Sequence, residues 1–399
     1  MPGSQPDQSA HLLTNAAQLA QTRLFVRFEI FEDPKLALPD WSKLEPEAPA
    51  SAYQAANFLL PWLATIGQED AIKACIIVGY LQDGSAGALF PFGLTIKAGM
   101  RIISFLGGSD SNAQMGLIRS DLNLTQSDIK DVLHFCAHSH LRPDALILIN
   151  QPELWECKAN PFALVSHQPS ASFSFSTPLD KDGEAFVKSR LSSDHFKKLK
   201  KKERKLSRMG TIGYQIASSP DQVREALAVL LAQKLGRLNE KNITTHLANP
   251  AAKVFLTQCC LEGLAENHPV MELHTLQLDG QIIAIFAGCI HQNGFYAMLN
   301  SFETDPEIAR TSPGELLLVE MIKGLSQRGI TRLDFGIGEA RYKSNWCQTA
   351  DPRFDTLIGW TLKGKMLITG LRLKLRLKRF IKQTPWAWKL AQMIRQNAA

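Results

Sequence analysis

Four side chains that could do acyl-transfer chemistry lie within ten residues in the run DFGIGEARYKSNW (334–346). They are Asp334, Glu339, Tyr342 and Lys343, and they follow a strand-like segment interrupted by two glycines. Acyl transfer needs a base for the acceptor, donors for the oxyanion and a proton source for the leaving group. Carboxylates, lysine and tyrosine can fill these roles. The alternative is a surface loop with a local charge network and aromatic residues packed at its edges.

A second segment, Ser312 to Glu315, predicts a helix start that could hold an anion. Ser312 suits the N-cap, Pro313 the first helical position, and Glu315 the third, which completes a capping box. Gly314 has no side chain, so an anion could approach the free N–H groups of the first turn. The alternative is a well-made cap without a ligand, and the Glu315 carboxylate would compete for the same N–H groups.

The elements that must position these residues follow a regular order in the second half of the chain. Three strand-like runs are joined by Asp279-Gly280 and by a short loop with Asn293-Gly294, which predicts an antiparallel meander. Helix and strand patterns surround it. We predict helices at 194–209, 221–238, 250–267 and 313–328, and strands at 211–217, 271–278, 281–289, 295–300, 330–336 and 354–362.

The first half has a weaker version of the same order. A helix, a strand meander, a helix and a strand occur within 50–150 and again within 220–336, which indicates an internal repeat. The fold class is therefore α/β (α+β), with two tandem domains, each a mixed, mostly antiparallel sheet flanked by helices. The alternative is one large mixed sheet. We divide the chain into a flexible N-terminus (1–20), a first domain (21–165), a second domain (166–362) and a basic tail (363–399).

Positive charge is concentrated in two places. Residues 197–208 hold eight Lys/Arg against one acid, and residues 361–399 hold ten Lys/Arg and no acid. The first block predicts a solvated helix or a basic rim that attracts an anionic donor or acceptor. Within the tail, 371–380 alternates apolar and basic residues, which predicts an edge strand. The tail could contact a membrane surface, or it could be a basic edge that discourages sheet pairing.

Composition excludes several classes of protein. The 399 residues are 45% hydrophobic and 21% charged, as in globular domains, and no uncharged apolar run is long enough to span a membrane. The start of the chain has no secretory signal pattern. The seven cysteines of the chain do not have the spacing of metal ligands, so we expect a reducing, cytoplasmic environment and no metal.

Three stretches together resemble the GNAT-superfamily acyltransferases of the BioF/CelD-like (cellulose-biosynthesis CelD) family. They are HFKKLKKKERKLSRMG, then LQLDGQIIAIFAG with the later SPGELLL, and GITRLDFGIGEARYKSNW. The resemblance covers about 160–350, and the first half looks like the family's weaker leading domain. It implies two GNAT-like domains, an acyl-CoA donor such as acetyl-CoA, and an amine or hydroxyl acceptor. That acceptor would be a small molecule or a glycan precursor in envelope polysaccharide metabolism.

The chain is also similar to FemABX aminoacyltransferases, through the YKSNW ending. That likeness implies that Lys343 stabilises negative charge in the transition state. With a CoA thioester as donor, the Tyr342 hydroxyl could assist protonation of the leaving thiolate. The GNAT phosphate signature, Arg/Gln-x-x-Gly-x-Gly/Ala, would begin at Arg310, but Pro313 and Glu315 then stand where small residues are expected. Two alternatives stay open: aminoacyl transfer from tRNA, and a catalytically silent partner protein. Nucleic acid is otherwise not an expected partner.

Overall fold

The computed structural model describes residues 23–240, 242–340, 342–384 and 386–387. The N-terminus expected to be flexible, 1–20, lies outside these residues, as do Arg341 and the end of the basic tail. In the part of the chain that is described, every helix is too short or too polar to cross a membrane.

The first sheet has eight strands in the order β1-β2-β3-β4-β6-β16-β9, with β5 beside β3. All but β16 (Arg353–Gly359) come from the first part of the chain. Thr125 caps α3 (Gln126–Ala137) and forms a capping box with Asp128. The elements are β1 (Arg27–Phe31), α1 (Pro34–Glu47), α2 (Ala56–Trp62), β2 (Lys73–Tyr80), β3 (Ala86–Lys97), β4 (Met100–Phe105), β5 (Leu117–Ile118), α3 (Gln126–Ala137), β6 (Ala145–Pro152), the small hairpin β7 (Leu154–Trp155) and β8 (Lys158–Ala159), and β9 (Gln168–Pro169).

The second half builds a six-stranded sheet in the order β10-β15-β14-β13-β12-β11. Asp279 and Gly280 both have positive φ, 50° and 82°, so the predicted turn between β12 and β13 is present. The elements are β10 (Ser174–Pro178), α4 (Gly183–Arg190), α5 (Ser193–Ser207), β11 (Ile212–Ile216), α6 (Pro220–Asn239), α7 (Pro250–Leu261), β12 (Met271–Leu278), β13 (Gln281–His291), β14 (Gly294–Phe302), α8 (Pro306–Ala309), α9 (Pro313–Gln327), β15 (Arg332–Ile337), α10 (Lys343–Trp346), β16 (Arg353–Gly359) and α11 (Leu362–Gln383).

The predicted repeat is confirmed by the strand order. In the first sheet, β2, β3 and β4 form an antiparallel meander, and β6 returns parallel to β4 after α3. In the second sheet, β12, β13 and β14 form the meander, and β15 returns parallel to β14 after α9. The fold class is therefore as expected: two tandem α/β units, each with a mixed, mostly antiparallel sheet flanked by helices.

The strand β16 does not join the sheet of the half that precedes it. We expected a last strand at 354–362 within the second domain, but β16 pairs antiparallel with β6 of the first sheet. In the second sheet the matching position, beside β15, is taken by β10. The edge of each returning strand is thus covered by a segment from elsewhere in the chain. Alternation within a strand says which face is buried, but it does not say which sheet the strand joins.

The segment 371–380 is part of a helix, so the predicted edge strand is wrong. Thr361 caps α11, since its side chain accepts a hydrogen bond from the Gly364 N–H. The alternating leucines fall on two sides of this helix. Leu371 and Leu375 pack beside the buried Ile368 against the first sheet, and Leu373 and Leu377 face outward. The alternation of apolar and basic residues in 371–380 therefore reflects two separate apolar faces of one helix.

The two halves share one hydrophobic core. Phe58 in α2 packs edge-on against Phe255 in α7, with ring centroids 5.3 Å apart. Tyr53 packs in the same way against Tyr296 in β14, at 6.0 Å. All four residues are almost completely buried in one cluster that includes residues of both sheets. The halves therefore resemble two domains in topology but form one packed body.

Candidate functional site

The strands β14 and β15 separate at their C-terminal ends. They pair in parallel only from Gly294 opposite Arg332 to Tyr296 opposite Asp334. Beyond that point β14 continues to Phe302 beside β13, and β15 stays with β10. Among the described residues, the second half of β14 therefore has one backbone edge that no neighbouring strand covers.

A cleft of about 700 Å³ opens beside this separation. Its size falls within the range of small-molecule sites. The start of α5, the end of β14, the start of α9 and the loop before β16 contribute its walls. The lining residues are Ser192, Asp194, His195, Lys198, Lys202, Phe286, Asn300, Ser301, Phe302, Ala309, Ser312, Pro313, Gly314, Glu315, Leu318, Tyr342 and Asn345.

The start of α9 differs from the predicted capping box. Ser312 has a φ of 55°, and its side chain makes no cap hydrogen bond; its Oγ accepts from Lys202 Nζ at 2.7 Å instead. Glu315 Oε1 lies 2.5 Å from His195 Nε2, and Glu315 Oε2 lies 3.9 Å from Lys202 Nζ. The predicted capping box is therefore wrong. The two side chains bind residues of α5 instead: Ser312 binds Lys202, and Glu315 binds His195.

This arrangement leaves one amide of the first turn for a ligand. Pro313 has no N–H, and the amides of Glu315 and Leu316 donate to the Ser312 carbonyl. The Gly314 N–H is the donor that the helix itself does not use. A methyl group added at Gly314 would be 3.4 Å from Phe302, an ordinary contact, so there is room beside it. The competition expected from the Glu315 carboxylate is reduced, since that group is bound to α5.

One side of α5 forms a basic rim along the cleft. His195, Lys198 and Lys202 line it, and Leu199 and Leu206 on another face are buried against the second sheet. Other lysines of the helix face solvent, as the simpler interpretation of 197–208 predicts. The rim therefore places positive charge next to the start of α9, where the field of the helix also favours an anion.

Tyr342 is the one residue of the proposed catalytic set that lines the cleft. Its ring packs edge-on against Phe286 at 6.5 Å and Phe335 at 5.9 Å. Burial raises the pKa of Tyr342 to about 12, so the phenol is protonated at neutral pH. Such a group can donate a proton but is a poor base.

Lys343 points away from the cleft. It is 6% exposed, and its Nζ donates to the carbonyls of Gly336 and Ile337 at the end of β15, both at 3.2 Å. Burial lowers the pKa of Lys343 to about 8. The Lys343 ammonium therefore does not line the cleft. Its contacts hold the loop to the strand that precedes it.

The remaining predicted residues also lie outside the cleft lining. Asp334 is 2% exposed and accepts a hydrogen bond from the Gly336 N–H at 2.7 Å, so it shapes the strand end. Glu339 is exposed. Arg310 is exposed and pairs with Glu307 of its own short helix at 2.6 Å. Of the donor-binding set, Ser312, Pro313 and Gly314 line the cleft and Arg310 does not.

Several of the residues that line the cleft were not singled out from the sequence. Lys202 is in the basic block and His195 lies just before it, but only the orientation of the helix separates these two residues from the solvated lysines. Asn300 lies on the open edge of β14, and its carbonyl accepts from Lys234 Nζ at 3.2 Å. Burial lowers the pKa of Lys234 to about 8. Asn345 follows Tyr342 on α10 and carried no signal beyond its place in YKSNW.

Comparison with known proteins supports the fold. Residues 193–344 match the family model of the acetyltransferase (GNAT) domain. No curated protein matches the chain. The structure of FemX is 9% identical, with a TM-score of 0.57 over 84% of this chain and 98% of that one. A conserved protein of unknown function from Bacteroides thetaiotaomicron VPI-5482 is 11% identical, with a TM-score of 0.52 over 83% of this chain and 100% of that one. At such identities the similarity concerns the fold.

Proposed function

We propose that the second half is an acyltransferase that moves an acyl group from a CoA thioester to an amine or hydroxyl acceptor. The observation that carries the proposal is the cleft at the separation of β14 and β15. One end of it has the Gly314 N–H and the basic rim of α5, and Tyr342 lines it as well. The match of 193–344 to a GNAT domain supports the same chemistry.

The phosphate groups of the donor fit the start of α9. The Gly314 N–H, the positive end of the α9 dipole and the side chains of Lys198 and Lys202 together attract an anion. From there, the amide-containing arm of the CoA donor could lie along the uncovered edge of β14, because an open strand edge pairs with extended amide groups. Lys234 already occupies the Asn300 carbonyl, so pairing would use the other backbone groups of this edge.

The chemistry requires a new bond from the acceptor nitrogen or oxygen to the acyl carbon and cleavage of the carbon–sulfur bond. The leaving thiolate takes a proton, and we assign its donation to the Tyr342 hydroxyl, which is protonated at neutral pH and lines the cleft. The acceptor releases a proton to solvent, and solvent returns a proton to Tyr342, so the step balances. The acceptor class, a small molecule or glycan precursor in envelope polysaccharide metabolism, depends on the BioF/CelD-like resemblance of the sequence alone.

Two variants separate donor binding from chemistry. We expect Gly314→Asp to weaken acyl-CoA binding, because the new carboxylate fills the space at the helix start and repels phosphate. We expect Tyr342→Phe to bind the donor normally but to lower turnover by about 10²-fold, the lower end for a general acid. Calorimetric titration with CoA thioesters of different chain length and a thiol-release assay measure the two effects.

A matched control is Gly236→Asp, since Gly236 is in α6 with open space around its Cα and does not line the cleft. It should bind and turn over donor as the unchanged protein does. Unchanged donor affinity in Gly314→Asp would place the phosphates elsewhere. Donor binding without turnover in the unchanged protein would instead favour a catalytically silent partner.

A second candidate is aminoacyl transfer from charged tRNA, as in the FemABX resemblance. The specific observation in its favour is α5, whose lysines on the solvent side extend the basic rim beyond what a small donor can contact. Binding to tRNA through these lysines would weaken steeply with salt, because each neutralised phosphate releases counterions. A filter-binding series over salt concentration, with aminoacyl-tRNA and with acyl-CoA as competitor, distinguishes the two donors.

A further inference from the structure

Five large apolar side chains lie on the solvent face of α11. Leu362, Met366, Leu373, Leu377 and Phe380 are 51–77% exposed. Their spacings of 4, 7, 4 and 3 residues place them within an arc of about 60° on the helix, at roughly 100° per residue. Single exposed leucines are ordinary, but a continuous row in helical register marks an interaction surface. We call this row the outer stripe.

The opposite face of α11 is fixed to the first sheet. Ile368 is buried in a cluster with residues of β6 and β16. Arg372 Nη2 donates to the Leu357 carbonyl at 2.8 Å. A methyl group at Gly364 would lie 1.9 Å from the Asp144 carbonyl oxygen, so the helix and the sheet approach at van der Waals distance there. Because of these contacts α11 cannot roll to bury the outer stripe against its own sheet.

Positive charge borders the outer stripe on both sides. The helix has eight Lys/Arg and no acid. At roughly 100° per residue, Lys363 and Lys374 fall on one side of the stripe, and Lys365 and Arg376 fall on the other. An exposed apolar row between two rows of cations is the pattern of helices that lie in the plane of a membrane surface.

Other occupants fit the charges less well. A second copy of α11 would bring two cationic borders together, and like charges so placed repel. The termini outside the described residues provide almost no compensating charge: 1–22 contain one acid, Asp7, and 388–399 contain none. The partner that satisfies both the stripe and its borders is an anionic, apolar surface.

We propose that α11 binds anionic membranes. The outer stripe enters the boundary between headgroups and acyl chains, and the bordering lysines and arginines contact lipid phosphates. Trp386, 63% exposed and packed edge-on against Phe380 at 5.9 Å, extends the apolar surface at its C-terminal end. This inference is independent of the proposed acyl transfer, since it uses no residue of the cleft.

The experiment is co-sedimentation of the full chain with vesicles of phosphatidylcholine, with and without phosphatidylglycerol. We expect binding to the vesicles that contain phosphatidylglycerol. Leu373→Gln with Leu377→Gln removes two apolar anchors without changing charge and should lower the partition coefficient by about tenfold or more. Lys374→Gln with Arg376→Gln should lower it by about tenfold at low salt, with a smaller effect at high salt.

The matched control for single changes is Leu36→Gln against Leu373→Gln. Both leucines are on helices, and they are 65% and 71% exposed. Leu36→Gln should bind vesicles as the unchanged protein does. Vesicle binding that survives the double leucine change would mean attraction by charge alone and would overturn the insertion. Absence of vesicle binding, with a dimer that the leucine changes convert to a monomer in light scattering, would assign the face to a second copy.

Discussion

At the scale of single residues, Lys343 shows how burial changes what a cation can do. Family resemblance implies that it stabilises transition-state charge, yet its ammonium donates to two carbonyls beneath the cleft loop. A group engaged in this way positions the loop that carries Tyr342. The structure therefore separates two residues that are neighbours in sequence into one that lines the cleft and one that supports it.

We predict that Lys343→Met lowers turnover by much less than the roughly 10²–10³-fold expected for loss of an oxyanion donor. The expected loss comes from a less well-ordered Tyr342. The exposed Lys253→Met in α7 is the control and should have no effect. A loss of the full 10²–10³-fold in a folded variant would show that the ammonium reaches the reacting atoms when donor binds.

The same substitution has a pH signature. Burial lowers the pKa of Lys343 to about 8, below its ordinary value of 10.5, so the unfolded chain binds more protons between these two pH values. The stability of the unchanged protein should therefore rise relative to Lys343→Met as the pH increases from about 8 to 10.5. Urea unfolding of both proteins across this range measures the difference. A difference that does not vary with pH would contradict the burial of the charge.

At the scale of elements, α9 connects the cleft to the meander. Its N-terminal end provides Gly314, and beyond its C-terminal end Arg328 makes two hydrogen bonds to Glu272 in β12, at 2.9 and 2.5 Å. The buried His274 also contacts Glu272, at 3.0 Å. The position of α9 relative to the meander, and hence the shape of the cleft, depends on the contacts of the exposed Arg328 with the buried Glu272.

We predict that Glu272→Gln destabilises the protein by about 2 kcal/mol at pH 7, as expected for a lost hydrogen bond between charged groups. Burial alone would raise the pKa of Glu272, but the hydrogen bonds from His274 and Arg328 lower it to about 2. The carboxylate therefore contributes stability above pH 4.5, and this contribution is lost as the pH falls toward 2.

Urea unfolding at neutral and acid pH tests the claim. The difference between the unchanged protein and Glu272→Gln should shrink as the pH falls below 4.5. The exposed Glu266→Gln is the control and should be neutral at both pH values. An undiminished difference at low pH would mean that the carboxylate is not ionised in the folded protein.

At the scale of the whole molecule, the first sheet takes a strand from the end of the second half, and the two halves share a core. The buried Phe354 and Leu357 of β16 complete the first sheet, although they follow the second half in sequence. The edge of β6 would be exposed without them. The expected boundary at 165 therefore divides the chain only by the order of its elements. The first half still needs β16 to complete its sheet.

We predict that a fragment ending at 165 does not fold cooperatively, because it lacks β16, which covers the edge of β6, and α11, which packs on the first sheet. The comparison is a fragment ending at 170 and joined by a glycine-serine linker to 351–387. The link is short in space, since the Ser170 N–H donates to the Arg353 carbonyl at 2.8 Å. Thermal unfolding by circular dichroism should show a cooperative transition only in the joined fragment. A cooperative transition in the shorter one would mean that β16 is dispensable.

Local signals in the sequence were enough to determine the meander and the repeat. Asp279-Gly280 specifies its turn because both residues tolerate positive φ, and Pro313 suits a helix start because its φ is already helical. Such preferences act within a few residues, so they hold whatever the rest of the chain does. The same locality explains why Ser312, Pro313, Gly314 and Tyr342 could be selected for the cleft from their sequence alone.

The tertiary structure alone decided how distant segments compete for partners. Glu315 has the right position for a capping box, but its carboxylate contacts His195 of α5, which lies 120 residues earlier in the chain. Leucines alternate with cations in α11 as in an edge strand, but one set packs on the first sheet and the other faces outward. The sheet that β16 joins, the burial of Lys343 and the orientation of the basic helix depend in the same way on contacts far apart in sequence. Local preferences of a few tenths to one kcal/mol per residue are easily outweighed by such contacts.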